Sequence, residues 1–227
     1  NHSRILDYFL RDAERAPGRV VPDYGVEFLD CRIDPDAEYA IAARVRYTAG
    51  PRTGEERTVR ARYLVGGDGA RSSVRAALGH RLRGAASMHA WGVMDVLAVT
   101  DFPDWRTKNV VQSAGKGSLL MIPREGGNMV RLYVDLGEVP AGDTTVRETT
   151  VEQLTAVAND ILHPYSIDVR SVAWSSVYEV GQRLAERFDD LSPDDEGAPH
   201  VFIAGDACHT HSAKAGQGMN VSMQDAF

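Results

Sequence analysis

The stretch PHVFIAGDACHTHSAKAGQGMNVSMQDAF, residues 199 to 227, limits the possible fold more than any other part of the chain. Val201, Phe202, Ile203 and Ala204 make an apolar run of strand length, Gly205-Asp206 makes a sharp acidic turn, and Gly216 and Gly218 mark the entry to a helix carrying Met219, Asn220, Met223 and Asp225. Glycine at such a junction lets the backbone come close to a ligand. A helix start offers unpaired N–H groups and the positive end of the dipole, which favour an electron-rich group. An ionised carboxylate only accepts hydrogen bonds, so Asp206 suits the hydroxyls of a sugar-like chain. An ordinary strand-to-helix turn with a solvated Asp has the same pattern, so this stretch alone does not define its ligand.

A second acidic turn follows a similar plan. In ARYLVGGDGARSSVRAALG, residues 61 to 79, Tyr63, Leu64 and Val65 read as a buried apolar segment. They lead through Gly66-Gly67-Asp68-Gly69 into a helix with Ser72 or Ser73 as N-cap and Gly79 as C-cap. Beyond strand, Gly-Asp and helix the two stretches differ, so they are not an internal repeat.

The rest of the chain supplies ordinary globular elements. Residues 3 to 16 put Ile5, Leu6, Phe9, Leu10 and Ala13 on one face of an amphipathic helix, expected to pack, and Pro17-Gly18 ends it. Residues 26 to 34 and 39 to 47 read as strands, and AGPRTGE turns the second into a third from 57 to 65, an antiparallel meander. Residues 88 to 100, 108 to 114, 117 to 123 and 129 to 136 read as strands of a mostly antiparallel sheet, with Trp91, Met94 and Trp105 in the core. Thr150 caps a helix whose apolar face is Leu154, Val157, Ala158, Ile161 and Leu162, ending before Pro164. Residues 167 to 180 return to strand, with Trp174 and Tyr178 at same-face spacing, and residues 189 to 199 form a solvated acidic loop.

Composition narrows the function classes. A net charge of -7 over 227 residues provides no basic face for nucleic acid. Two cysteines far apart, Cys31 and Cys208, make no disulfide framework and fit a reducing cytoplasm. No apolar run has membrane length, and no membrane partner is expected. His209 and His211 do not read as a metal site, because beyond Cys208 no acidic or cysteine partner stands at ligand spacing. A start at Asn1 and a stop at Phe227 in mid-helix suggest a piece of a longer protein.

The two turns together resemble the paired signatures of the flavin-dependent aromatic hydroxylases, the group of para-hydroxybenzoate hydroxylase and phenol 2-monooxygenase. Asp68-Gly69-Ala70-Arg71-Ser72-Ser73-Val74-Arg75 is similar to that group's DG motif. Gly205-Asp206-Ala207-Cys208-His209, followed by Gly216-Gln217-Gly218-Met219-Asn220, is similar to its GD motif. WGVMDVLAVTDFPD and IPREGG resemble the phenol 2-monooxygenase and 3-hydroxybenzoate 4-hydroxylase branch, so essentially the whole chain is covered.

The resemblance implies an α/β (α+β) fold in which an FAD-binding domain, residues 1-84 and 183-227, receives an inserted antiparallel substrate-binding sheet domain, residues 85-182. The family's GxGxxG unit and the branch's thioredoxin-like domain fall outside these residues. FAD is the implied cofactor and NAD(P)H the implied co-substrate. Asp206 would hold a ribityl or ribose hydroxyl, with Gly205 and Gly216 shaping the turn and the amides near Gly218, Met219 and Asn220 facing the pyrimidine edge of the flavin. Asp68, Gly69 and Arg71 would lie toward the dinucleotide side, and His2 stands where relatives have a flavin-contacting Gln. The implied reaction is hydroxylation of a small phenolic substrate by O2 through a flavin C4a-hydroperoxide. A tailoring hydroxylase or epoxidase acting on a polyketide-like aromatic is the alternative, as is a piece that cannot bind FAD alone; a homodimer of the full-length protein is one assembly the resemblance allows.

By position in the inserted sheet, Arg83, His89 and Tyr178 are candidates for orienting or deprotonating the phenol. A strand histidine, a surface cation and a core tyrosine are the plain alternatives for these three. Two departures from the family pattern stand out: Ala213 replaces the usual Pro before Lys214, which loosens the loop, and Gly67 fills a position often held by Cys.

Overall fold

The computed structural model describes residues 2–84, 88–140, 145–211 and 216–227, with the side chains of His2, Met88 and Val180 outside the description. The expectation for His2 and the loop containing Ala213 and Lys214 therefore fall outside the described residues. These residues form two compact units, one of 1–66, 73–79 and 189–202, the other of 67–72, 80–188 and 203–227.

The first unit begins with α1 (His2–Arg15). It continues into the antiparallel meander β1 (Val26–Ile33), β2 (Ile41–Tyr47) and β3 (Glu56–Ala61), in that spatial order. The amphipathic pattern of α1 is present, but Leu6 and Phe9 are 56% and 58% exposed, so the expected packing of that face is not made among the described residues. The third strand also departs from expectation. It breaks at Arg62-Tyr63, and β4 (Leu64–Gly66) leaves the meander to pair with β12 (Val201–Ile203). Tyr63 and Val65, read as buried, are 61% and 64% exposed, because a two-stranded ribbon has no layer to cover both faces. The Tyr63 ring stacks on His200 instead, centroids 6.0 Å apart. Gly66 lies against α2 (Ser73–Ala77), where a Cβ would come within 2.6 Å of Val74 Cβ. The acidic loop before β12 has structural work: the Asp190 carboxylate accepts the backbone N–H groups of His200 and Val201 at 2.9 and 3.0 Å.

The second unit is built on a five-stranded antiparallel sheet. After the short β5 (Leu82–Gly84) come β6 (Met88–Thr100), β7 (Asn109–Ser113), β8 (Gly117–Pro123) and β9 (Val130–Val139). Then follow a 3-10 turn (Thr145–Glu148), α3 (Val151–Leu162) and β10 (Ile167–Val180). The order across the sheet is β10-β6-β9-β8-β7. Strand alternation sends Met94, Val96, Leu132, Val134, Leu119 and Met121 to one face, where α3 covers them with Leu154, Ala158, Ile161 and Leu162. Thr150 caps α3 in a full capping box with Gln153, as its sequence position predicts. Gly92 allows the helix to sit close, since a Cβ there would lie 2.1 Å from Leu154 Cδ2.

A second, smaller sheet is the joint of this unit. β11 (Arg183–Ala185) pairs with β5 on one side and with β13 (His209–Thr210) on the other. β5 runs into the start of β6 and β11 follows the end of β10, so the small sheet is attached to the end of the large sheet that carries His89 and Tyr178. Thr210 Oγ1 tightens the joint by donating to Gly181 O at 2.8 Å. The chain ends its described path in a 3-10 turn, Gly205–Ala207, and α4 (Gly218–Asp225).

Candidate functional site

The Gly205–Ala207 turn and α4 are bound together through one carboxylate. Asp225, on the last turn of α4, accepts from Gly205 N–H at 2.7 Å, from His209 Nε2 at 2.7 Å and from the Cys208 thiol at 3.7 Å, all on the same oxygen. Its side chain is only 16% exposed. Burial works against its charge, but the Gly205 amide, the His209 ring and the thiol outweigh that and hold the carboxyl below the ordinary Asp range. Burial first, and Asp225 second, push the Cys208 thiol up to about 12. The sequence reading found no acidic partner for Cys208 and His209; Asp225 is that partner, brought in by the fold of α4 across the turn. His209 Nδ1 is buried with no hydrogen-bond partner among the described residues.

Asp206 has the opposite environment. It is exposed on the turn, and its carboxylate accepts no hydrogen bond among the described residues. Gly205, with φ of 63°, packs so closely on α4 that a Cβ would meet Ser222 Oγ at 3.0 Å. Gly216 has φ of 65° with open space where a Cβ would be, and Gln217 at the N-cap of α4 makes no side-chain cap. The first amides of the helix, at Gly218, Met219 and Asn220, therefore keep their capacity to donate outward. In the loop of 67–72, Gly69 has φ of 82° with open space beside it, Arg71 is exposed, and the Asp68 carboxylate accepts the Ser72 hydroxyl.

These residues fit a flavin nucleotide. A helix start with no side-chain cap behind a glycine matches an electron-rich ring edge, and an exposed carboxylate with no partner among the described residues matches a polyol.

The sheet face turned away from α3 carries polar and aromatic side chains. Trp91, Val93 and Asp95 of β6 stand beside Trp174, Ser176 and Tyr178 of β10 and beside Arg131, Tyr133 and Asp135 of β9. Asp95, 6% exposed, binds Arg131 with two 2.7 Å hydrogen bonds, and the guanidinium lies 5.3 Å from the Trp174 ring centroid. Asp95 and then Tyr133 hold the Arg131 cation well above its ordinary pKa against the effect of burial. His89 Nε2 meets Asp135 Oδ1 at 2.5 Å, and Gly137 N–H donates to the same oxygen at 3.0 Å. Tyr178 is 42% exposed with its ring 6.3 Å from Trp174. Trp91 Nε1 is buried without a partner among the described residues.

His89 and Tyr178 thus lie near one end of this face, on neighbouring strands. Arg83 does not join them: it lies on β5 of the small sheet, its side chain 78% exposed, in an ion pair with Glu186. Asp95, Arg131, Tyr133 and Asp135 were not singled out by sequence reading. The signal available was a lone Asp inside the apolar run of β6, which alternation places on the face opposite Met94.

An antiparallel sheet bearing a polar face, joined in one chain to a strand–Gly-Asp–helix segment, is the architecture of the para-hydroxybenzoate hydroxylase fold. The FAD binding domain family matches residues 5–227, and the chain belongs to that family. It is 50% identical over 233 residues to 3-hydroxybenzoate 4-monooxygenase of Comamonas testosteroni, covering 100% of this chain and 36% of that protein. It is 42% identical over 175 residues to phenol 2-monooxygenase fsqG of Aspergillus fumigatus, covering 76% and 28% respectively. The chain spans about a third of the length of these curated relatives. In structure it is similar to anhydrotetracycline hydroxylase OxyS of Streptomyces rimosus, with TM-score 0.62, 25% identity, and coverage of 91% of this chain and 37% of that one. It also shares the fold of aklavinone-11 hydroxylase, solved with FAD and aklavinone, with TM-score 0.69, 24% identity, and coverage of 99% and 39%. The expected FAD-binding fold with an antiparallel sheet is present, and no described helix is long and apolar enough to cross a membrane.

Proposed function

We propose that the full-length protein is an FAD-dependent monooxygenase that hydroxylates a small phenolic ring using NAD(P)H and O2. The observation that carries this reading is the uncapped start of α4 packed on a turn whose Asp206 carboxylate has no partner among the described residues. The 50% identity to 3-hydroxybenzoate 4-monooxygenase supports a phenol or hydroxybenzoate as substrate.

The bound flavin supplies hydride acceptance and oxygen activation, and the protein binds, orients and excludes water. In this reading Asp206 accepts hydrogen bonds from the sugar hydroxyls. The amides at Gly218, Met219 and Asn220 face the ring edge where negative charge collects, at no reorganisation cost. Asp68, Gly69 and Arg71 belong to the dinucleotide side.

The phenol is handled by the polar face of the sheet. His89 gives its Nε2–H to Asp135, which leaves Nδ1 as the proton acceptor toward a phenol hydroxyl. Tyr178 orients the ring by its hydroxyl, with Trp174 as an aromatic neighbour. Arg83 is assigned to its ion pair with Glu186 rather than to a substrate group.

The test is the full-length protein, purified gently, examined for a flavin spectrum and for NAD(P)H oxidation stimulated by simple phenols, hydroxybenzoates and polycyclic phenols. Bound flavin and stimulation by the first two groups are expected. A colourless protein, or one stimulated by none, sinks the reading. Stimulation by polycyclic phenols alone assigns a tailoring hydroxylase, the reading favoured by the likeness to OxyS.

A further inference from the structure

We infer that Asp225 is a positioning residue of the flavin site: from the last turn of α4 it fixes the Gly205–Ala207 turn, and with it the direction in which Asp206 presents its carboxylate. This rests on the flavin reading given above.

Among the described residues none bonds the Asp206 carboxylate, but its neighbours in the turn are held. Gly205 N–H on one side, and the Cys208 thiol and His209 Nε2 on the other, all donate to Asp225 Oδ2. Gly205 O lies 3.3 Å from the same sulfur, so the thiol's single hydrogen is shared between the two acceptors and closes the turn across Asp206. A second clamp comes from Ser222, which lies where a side chain at Gly205 would go and whose hydroxyl donates to Gly218 O at 2.9 Å. The helix is therefore tied to the turn at Ser222 and Asp225, while its first amides start at Gly218, roughly 6 Å and 10 Å away along the axis respectively. One rigid helix thus sets the spacing between the carboxylate that would take the sugar chain and the amides that would face the ring. All three neighbours donate to one oxygen of Asp225, so a carboxamide oxygen could take that place but without the charge, and bonds to a charged acceptor are about twice as strong as neutral ones.

Cys208, His209 and Asp225 have ligand atoms within 4.8 Å of one another, which would suit a metal ion. The 3.3 Å contact of the Cys208 sulfur with Gly205 O argues for the hydrogen-bonded arrangement, since a thiol can donate there and a thiolate cannot.

The experiment uses full-length apoprotein reconstituted with FAD, comparing wild type with Asp225→Asn, His209→Gln and Asp206→Asn. FAD affinity is read by fluorescence quenching, the flavin environment by visible circular dichroism, and apoprotein melting separately. Asp225→Asn is expected to weaken FAD about tenfold and to change the flavin dichroism, with His209→Gln weakening it about threefold and Asp206→Asn by tenfold or more. If Asp225→Asn melts earlier but binds FAD with unchanged affinity and dichroism while Asp206→Asn binds weakly, the positioning role is wrong and the site reading stands. If Asp206→Asn binds as wild type, the flavin site itself is misplaced. Should Asp225→Asn fail to fold, His209→Gln decides, and unchanged affinity overturns the inference. Loss of FAD on treating the wild type with a chelator would overturn it in favour of a metal site; no loss is expected.

Discussion

Asp95 and Arg131 stand directly opposite each other on β6 and β9 and share two 2.7 Å hydrogen bonds, with the Asp95 carboxylate 9% and the Arg131 side chain 25% exposed. A charge placed inside an apolar strand is tolerable only with such a partner. Asp95→Asn leaves Arg131 without its counter-ion and is expected to destabilise the apoprotein by about 2–4 kcal/mol in urea denaturation. Joint replacement by apolar residues of similar volume, Asp95→Leu with Arg131→Met, is expected to recover most of that. A single mutant as stable as wild type would show that the pair carries no such weight.

The contact of Gly92 with α3 predicts a compensating pair. Gly92→Ala drives a methyl into Leu154, which is 1% exposed and cannot swing away, and should destabilise by about 1–3 kcal/mol. Leu154→Ala alone should lose about 2–5 kcal/mol by leaving a cavity. The double mutant is expected to be more stable than the sum of the two, because the new methyl fills part of that cavity. Strict additivity in a double-mutant cycle would contradict the packing described.

Much of this was legible in the sequence, and what was not has particular causes. The Thr150 cap, the apolar face of α3 and the alternation of β6 to β10 are local, so one residue predicts the next few. The break at Arg62-Tyr63 is not visible in the sequence because β3 and β4 read as one continuous strand with no turn residue between them; only the pairing of β4 with β12, more than a hundred residues on, separates them. The exposed face of α1 has the same origin: amphipathicity says which face is apolar, not what covers it. At the site, glycines and acids marked both turns. Asp225 escaped notice because its role comes from α4 folding back over the turn, and Arg131 because its meaning depends on the register of β9 against Asp95.

Cys208 is expected to be an unreactive thiol. Its pKa, raised to about 12 by burial and Asp225, leaves almost no thiolate at neutral pH. Cys31 is also shifted upward by burial, then by Asp30 and Asp190, so alkylation at pH 8 should be slow at both sites until denaturant is added. A thiol with folded pKa above its unfolded value of 9.0 adds stability that is complete below pH 9 and lost as pH rises toward about 12. Melting curves from pH 8 to 11 should fall less steeply in Cys208→Ala than in wild type, and rapid native labelling of Cys208 would refute the assignment.

Arg83 offers a discriminating kinetic test. An exposed pair with Glu186 is worth at most about 1 kcal/mol, so Arg83→Ala in the full-length enzyme should change KM for a hydroxybenzoate by no more than about fivefold. Tyr178→Phe, on the polar sheet face, should raise KM for the phenol more than that. A far larger effect at Arg83, seen for a carboxylated substrate and absent for a neutral phenol, would make it the carboxylate anchor instead.

The joint between the sheets has a consequence for how such proteins diversify. The five-stranded sheet is entered after Gly84 and left before Arg183, and these two residues face each other as neighbours on β5 and β11. They pack so tightly that the Gln182 carbonyl occupies the place of a Gly84 side chain, 1.9 Å from where its Cβ would be. A segment whose two ends leave from adjacent, locked points can be exchanged like a cassette without disturbing the frame that holds it. In the proposed reading, variation between those points alters the sheet face that would meet the ring and leaves the turn that carries Asp206 outside the exchanged segment.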